Sequence, residues 1–235
     1  MIYMFRKNPV LEYESAVEGY SNIITPAKNH IPNWYKKIPK WKNNEVFNFE
    51  SGFNDTVKQC MPFLDSLTSG YMIVLPNDLY VAKTKEVPFI TWKNAEFPPS
   101  NRNVVTNLNL IPKGYYPLEF VWQTSAAIRV PLGYSMLFTH PINRYDLPFI
   151  TLTGVIDGGL TTDPNGKIPF FIKEDFEGVI EQGTPIAQII PFRQENWKSK
   201  KINGLSKIGY EHGLLGSLVI SGWYKKTFWT RKQYD

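Results

Sequence analysis

Asp157 is the residue whose type and setting are best suited to chemistry in this chain. It ends the short apolar run Gly154-Val155-Ile156, and the pair Gly158-Gly159 that follows it is typical of a turn. A carboxylate in a turn between two strands can polarise a water molecule for attack on a phosphate, which is a general-base role. It can equally accept backbone N–H groups and so fix the turn. Asp157 is therefore the candidate catalytic residue, with both roles open.

Gln188 is the second candidate, because it is a polar residue inside the apolar run Ile186-Ala187-Gln188-Ile189-Ile190. A polar side chain in a buried strand needs a hydrogen-bond partner. That partner is either the phosphate of a bound ligand or a neighbouring backbone group, and the sequence favours neither.

His140 lies four residues before Arg144, with Asn143 between them. The histidine and the arginine could form a cationic pocket for an anion beside Asp157, or the His140-Pro141 pair could simply shape a loop. The three histidines are far apart in sequence and show no two-histidine metal spacing. We therefore expect no fixed metal site.

The single cysteine, Cys60, excludes an internal disulfide framework and a cysteine-based metal cage. Apolar residues recur at three- and four-residue steps from Thr56 to Leu67, which predicts a short helix with Pro62 near its start. On that helical face, Cys60 is predicted to be a core residue.

Aromatic and cationic residues alternate from Trp34 to Lys42, as they do on surfaces that bind single-stranded nucleic acid. Such rings between prolines are just as natural in an arm that packs on its own protein or on a neighbour. We favour an oligomer or partner contact and do not expect nucleic acid as a partner. The sequence also has no phosphate-binding Gly-x-x-x-x-Gly-Lys-Ser/Thr loop, which argues against an ATP-driven role.

Length and composition indicate a globular protein with a packed core. The chain has 235 residues, of which 43% are hydrophobic and 20% charged. It has no apolar run near the roughly 18 to 20 residues of a membrane span and no signal-peptide pattern, so we expect no membrane association. The net charge of +5 is concentrated after residue 192, where there are nine Lys and Arg residues but three Asp and Glu residues.

Short β-branched or aromatic runs separated by turn residues dominate the middle of the chain and predict nine strands. Because no helix-length segments separate them, they predict a sandwich or barrel-like β core. The predicted strands are 71–75, 79–82, 89–92, 127–130, 134–138, 149–152, 170–172, 178–180 and 186–190. The sequence adds a short helix between Pro32 and Pro39 and an amphipathic helix over 223–234, docked by its aromatic side chains.

Several segments, in order, resemble the motifs of the trimeric dUTPase and dCTP deaminase family. A weak first motif is Asn77-Asp78-Leu79-Tyr80-Val81-Ala82, and Ile128 to Leu137 resembles the strand, turn and strand before the second motif. Gly154-Val155-Ile156-Asp157 is similar to the third motif and Gly183-Thr184-Pro185-Ile186-Ala187-Gln188 to the fourth. The resemblance covers about residues 70–192 and implies a mainly β fold, a dUTPase-like β-clip or jelly-roll-like barrel.

The resemblance also implies roles for single residues. Asp157 would activate the attacking water, Gln188 would meet a phosphate, and His140, Asn143, Arg144 and Asp78 would stand near the ligand. The family's Pro-Arg-Ser-Gly motif is replaced by His140-Pro141-Ile142-Asn143, and its closing glycine-rich fifth motif has no clear counterpart. These departures favour a protein that is not an enzyme.

Nearly the whole chain, including Ile31-Pro32-Asn33-Trp34 and Phe228-Trp229-Thr230-Arg231, is similar to a widespread set of bacteriophage proteins. We therefore expect a viral protein in the cytoplasm of an infected bacterium, or one associated with the virion. The expected organisation is an N-terminal arm over 1–69, a β core over 70–192 and a basic aromatic tail over 193–235.

The resulting hypothesis is a phage accessory protein that binds or scaffolds without catalysis, as a homotrimer. A second hypothesis is a diphosphohydrolase or deaminase-like enzyme acting on deoxynucleotides, with Mg²⁺ bridging the phosphates. A third is a virion component. Expected partners are copies of the chain, a deoxynucleotide or other small anion, and a virion or host protein.

Overall fold

The computed structural model describes residues 8–49, 52–84, 88–93, 96–101, 111–217 and 222–235. Within these ranges the chain is mainly β, as the sequence predicts. The strands are β1 Glu12–Ser15, β2 Ile24–Pro26, β3 Phe47–Asn48, β4 Gly52–Phe53, β5 Tyr71–Val74, β6 Leu79–Ala82, β7 Phe89–Trp92, β8 Ser100–Asn101, β9 Phe120–Gln123, β10 Ala126–Arg129, β11 Tyr134–Thr139, β12 Phe149–Thr151, β13 Gly154–Asp157, β14 Lys167–Ile172, β15 Gly178–Ile180 and β16 Pro185–Arg193.

Helices flank this β core at both ends of the sequence. The α-helices are α1 Asn33–Lys37, α2 Met61–Thr68, α3 Leu205–Ser217 and α4 Trp223–Thr227, and 3-10 turns span Ala27–His30, Lys42–Asn44 and Val57–Gln59. The helix predicted between Pro32 and Pro39 is confirmed as α1. α2 begins at Met61 because Pro62 fits only the first turn of a helix. Cys60 therefore precedes the helix and is exposed, so its predicted place in the core is wrong.

The strands form antiparallel sheets of two to five strands. The five-stranded sheet has the order β13-β11-β16-β5-β2, and a four-stranded sheet has the order β12-β14-β9-β8. A three-stranded sheet is ordered β15-β6-β7, while β1 pairs with β10 and β3 with β4. β1 and β2 come from the predicted N-terminal arm, so that segment contributes strands to the sheets of the core.

The core between the sheets is rich in aromatic rings. Trp122 stacks on Phe170 with ring centroids 3.5 Å apart, and Phe149 meets Trp122 edge-on. The Trp122 indole N–H donates to Thr151 Oγ1 at 3.1 Å, and that hydroxyl donates to the carbonyl of Ile186 at 2.6 Å. The buried indole N–H and the buried hydroxyl are thus both satisfied, and the two bonds join β9 and β12 to β16.

The C-terminal helix is shorter than predicted. α4 ends at Thr227, and the following residues run without helical structure along α2. The Trp229 indole N–H donates to both carboxylate oxygens of Asp65, and Tyr234 meets Tyr71 edge-on. The predicted helix over 223–234 is therefore wrong in its length, and the aromatic side chains that contact the core are Trp229 and Tyr234, which lie beyond the helix.

Candidate functional site

A small polar cluster surrounds Asp157, and we call its members Ser135, Asp157 and Gln194 the Asp157 end of β11. Ser135 pairs with Asp157 across β11 and β13, and its hydroxyl donates to Asp157 Oδ1 at 2.8 Å. The Gln194 amide donates to the same Oδ1 at 3.1 Å and to Ser135 Oγ at 2.9 Å. Asp157 is exposed, whereas Ser135 is buried.

The turn after Asp157 is fixed by the backbone. The Gly158 and Gly159 N–H groups donate to the carbonyls of Tyr134 and Val130 at 2.7 and 2.9 Å. A Cβ on Gly158 would lie within 2.5 Å of the Tyr134 carbonyl oxygen, so only glycine fits at this position. The carboxylate of Asp157 has side-chain partners here, in place of the backbone N–H partners that the sequence left open.

The Asp157 end has limited chemical capacity. In the part of the chain that the structure describes, both hydrogen bonds end on Oδ1, which leaves Oδ2 to meet water or a ligand. A carboxylate so oriented can accept a proton or a hydrogen bond. Ser135 and Gln194 were not found from the sequence; the available signal for Ser135 was its place opposite Asp157 in two paired strands.

The remaining predicted residues, except Asp78, lie beyond the other end of the same strand. His140 follows the last residue of β11 and lies five positions after Ser135. At roughly 3.4 Å per residue the two ends are about 17 Å apart. The prediction that His140 and Arg144 form a pocket beside Asp157 is therefore wrong for a single chain, because the extended strand β11 lies between the two groups. We call His140, Asn143, Arg144 and Gln188 the His140 end.

His140 shapes a loop. Its Nδ1 accepts the Thr151 backbone N–H at 3.3 Å, and Nε2 lies 3.1 Å from the Arg144 carbonyl oxygen. These partners fit a neutral ring with its proton on Nε2. Burial, with a smaller contribution from the charges of Arg144 and Lys173, holds the pKa of His140 below its ordinary value of 6.5.

Arg144 is engaged by a carboxylate. It makes a two-pronged contact with Asp146, with distances of 2.9 Å from Nε to Oδ1 and 2.9 Å from Nη2 to Oδ2. The Trp34 indole N–H also donates to Asp146, at 3.2 Å. Partial burial raises the pKa of Asp146, but the bonds from Arg144 and Trp34 outweigh it and set that pKa below its ordinary value. Asp146 thus ties the β11–β12 loop to α1 through Trp34, and Arg144 holds that carboxylate in place.

Gln188 is fully buried, and all its recorded partners are within the chain. Its Oε1 accepts the Ile142 backbone N–H at 2.9 Å, and Nε2 donates to the carbonyls of Ser66 and Ser69 at 3.0 and 2.7 Å. Of the two partners that the sequence left open, the backbone alternative is the one in this structure. Asn143 reinforces the junction by donating to Ser66 Oγ at 2.9 Å.

Asp78 belongs to a different corner of the molecule. Its Oδ1 accepts the Gln182 backbone N–H at 2.7 Å, which joins the turn before β6 to the turn before β16. The described residues contain no group of three or more His, Cys, Asp or Glu that could hold a metal ion. Among those residues, moreover, no helix has the length and apolar character needed to cross a membrane.

Comparison with known proteins gives matches to solved dUTPase structures. One is a mutant of the Staphylococcus bacteriophage 80alpha dUTPase with dUpNHpp, at 15% identity and a TM-score of 0.35 over 83% of this chain and 89% of that one. The dUTPase of phage phi11 of S. aureus matches at 13% identity and a TM-score of 0.34, over 83% and 97%. The EIAV dUTPase matches at 12% identity and a TM-score of 0.32, over 82% and 100%.

The resemblance to dUTPases expected from the sequence is thus found among the solved structures as well. At these identities and TM-scores it says nothing about activity. No family model matches the chain, and no curated protein matches it either.

Proposed function

We propose that this chain is a bacteriophage accessory protein that uses a dUTPase-like β-clip to bind or scaffold, without turning over nucleotide. The observation that carries the proposal is the state of the His140 end. Its polar side chains, together with the Asp146 that Arg144 binds, already hold α1, α2 and the β11–β12 loop together. A site that cleaves a phosphate would need such groups free to face the ligand.

Free polar groups are important for phosphate cleavage because they stabilise the charge that develops in the reaction. Donors aimed at developing charge contribute on the order of 3 to 4 kcal/mol each in enzyme sites. Arg144 already directs its charge and its Nε and Nη2 donors at Asp146, and could turn that charge fully to a ligand only by leaving the carboxylate. Gln188 could donate to a ligand only by abandoning backbone groups that it now satisfies. Both exchanges oppose catalysis at this end.

The enzyme alternative is supported by the Asp157 end. Asp157 is exposed and oriented by Ser135 and Gln194, as a general base would be. In trimers of the dUTPase and dCTP deaminase family, which the sequence resembles, the site lies between chains. A neighbouring chain could therefore bring cations to Asp157, with Mg²⁺ bridging the phosphates. Product analysis with dUTP and dCTP, with and without Mg²⁺, separates the two functions. The accessory role predicts no product; product that disappears in Asp157→Asn would establish the enzyme.

A homotrimer is part of the proposal, and the segment after β16 supports assembly. Residues 194–215 are exposed throughout, and this stretch carries large apolar side chains. Trp197 is 86% exposed and Leu214 65%. Exposed apolar groups on one segment are typical of an interaction surface. Native mass spectrometry is expected to give three times the chain mass of 27.2 kDa, and a monomer at micromolar concentration would contradict it.

The expected setting is the cytoplasm of an infected bacterial cell. The same exposed segment would suit a virion or host partner in place of a second copy. Mass spectrometry of purified particles separates these partners, since a virion component would be found there in fixed proportion to the capsid protein.

A further inference from the structure

A cavity of about 380 Å³ lies between the two terminal segments of the described chain. Its walls come from residues 8–11, from β5 and β16, from the turn before β11 and from the tail after α4, and they include Tyr71, Tyr134, Arg231 and Tyr234. The volume falls within the roughly 300 to 1,000 Å³ of small-molecule pockets. The cavity is separate from the side chains assigned above to the Asp157 and His140 ends.

The apolar part of this wall suits a flat ring. Tyr71, Tyr134 and Tyr234 contribute aromatic rings, and prolines and aliphatic side chains fill the spaces between them. Rings of this kind pack on planar ligands by stacking and edge contacts. The wall is held in place, because Tyr234 meets Tyr71 edge-on at 5.9 Å and the Tyr71 hydroxyl donates to the Asp235 carbonyl at 3.4 Å.

The charged part of the wall is Arg231. The nearby carboxylates pair with other cations: Asp235 of the tail pairs with Lys28 at 2.6 Å, and Asp65 of α2 pairs with Lys232 at 2.5 Å. Over the described part of the chain, Arg231 itself is paired with neither carboxylate. A guanidinium beside a ring-lined cavity can bind a carboxylate or phosphate with two parallel hydrogen bonds.

The Tyr71 hydroxyl adds no negative charge to the wall, and it donates its proton to the Asp235 carbonyl. Burial raises the pKa of this hydroxyl, and the negative charge of Asp235 adds to the effect. The hydroxyl therefore keeps its proton at neutral pH and presents no negative charge to an anion.

We propose that this cavity binds a planar aromatic molecule that carries one anionic group, with the ring among the tyrosines and the anion on Arg231. The inference is independent of the function proposed above, because it uses neither Asp157 nor a nucleotide. A ligand there would bridge the N-terminal segment and the C-terminal tail, and so would stabilise both.

Calorimetry on the full-length protein tests this with matched probes. The probes are 2-naphthoate, its neutral analogue 2-naphthamide, and acetate, which has the charge without the ring. We expect saturable binding of 2-naphthoate, at least tenfold weaker binding of 2-naphthamide, and no binding of acetate. Equal affinity for the charged and neutral rings, or no heat with 2-naphthoate, would overturn the proposal.

Variants locate the site. Arg231→Gln removes the charge from an exposed position and is expected to weaken 2-naphthoate binding about tenfold, the loss typical of a charged hydrogen bond. Arg231→Lys keeps the charge and should retain part of the affinity. The matched control is Lys226→Gln, an exposed cation of α4 outside the cavity, which should bind as the parent does. Unchanged binding by Arg231→Gln would show that the probe sits elsewhere.

Discussion

The two ends of β11 carry similar side-chain chemistry and use it differently. The Asp157 end has an exposed carboxylate that is oriented by a serine and a glutamine, with one oxygen left open among the described contacts. At the His140 end, the arginine, histidine and glutamine bond to groups of this chain that are themselves part of the fold. Residue type alone therefore does not identify a ligand site. The two ends differ in whether their side chains already have hydrogen-bond partners within the chain.

The two glutamines give the sharpest version of this comparison. Gln188→Leu would leave the Ile142 N–H and the carbonyls of Ser66 and Ser69 without their partner in a buried place. Unsatisfied buried groups cost about 1 to 3 kcal/mol each, so we expect a loss of about 3 kcal/mol in the free energy of unfolding. Urea denaturation measures it.

Gln194→Leu is the matched control. Gln194 is exposed, so the loss should stay within about 0.5 kcal/mol. Equal losses for the two glutamine variants would remove the distinction between the ends.

The ion pair of Arg144 and Asp146 provides the next test. Arg144→Leu leaves Asp146 partly buried with only Trp34 as its donor, and we expect a loss of about 1 to 2 kcal/mol. Arg129→Leu removes an arginine from an exposed pair with Glu12, whose side chains are 53% and 57% exposed, and should cost less than about 0.5 kcal/mol. Chemical denaturation of both variants gives the comparison. If Arg129→Leu costs as much as Arg144→Leu, Arg144 has no special structural role.

Stability should fall in mild acid because of His140. Its pKa is lowered in the folded protein mainly by burial, so folding favours the neutral ring. The stability is complete above the ordinary value of 6.5 and is lost as the pH falls from there towards the lowered folded pKa. The urea midpoint should therefore drop between pH 7.5 and pH 5.5.

Substitution of single histidines assigns this pH effect. His140→Gln should flatten the drop, and His30, whose pKa burial also lowers, should account for part of what remains. His212→Gln, on an exposed face of α3, should leave the drop unchanged. A drop of full size in His140→Gln would place its origin outside the His140 end.

The smallest effect is expected at the Asp157 end. Asp157→Asn keeps an oxygen that can accept from Ser135 and Gln194, and the site is exposed. The free energy of unfolding should change by no more than about 0.5 kcal/mol. A loss above 2 kcal/mol in thermal or urea denaturation would mean that Asp157 is a structural residue like Gln188.

The sequence predicts the β core well because each strand has a local signal, a short β-branched or aromatic run bounded by turn residues. All nine predicted strands are present, and Leu79–Ala82, Phe89–Trp92 and Gly178–Ile180 match to the residue. β9 was missed although Phe120-Val121-Trp122 is an aromatic and β-branched run of the same kind as the strands that were predicted. α3 was missed because its glycines and exposed apolar residues give no clear helical face.

The candidate site was predicted less well, because the role of each residue depends on hydrogen-bond partners that are distant in sequence. Gln188 could be recognised as a buried polar residue that needs a partner, but Ser66 and Ser69 lie more than a hundred residues away in sequence. Likewise, the contact between Arg144 and Asp146 is local, whereas the Trp34 donor that fixes it comes from α1. The sequence identifies the polar residues, but only the structure shows which hydrogen-bond partners they have.

The central claim is that the His140 end is closed to phosphate by its own internal bonds. The most direct test is ¹⁵N NMR of the full-length protein, following the side-chain amide of Gln188 and the Nε–H of Arg144 during titration with dUpNHpp and Mg²⁺. The account predicts that neither signal moves, whatever happens at Gln194. A saturable shift of either signal that survives in Gln194→Leu would show that these groups meet the phosphates, and would contradict it.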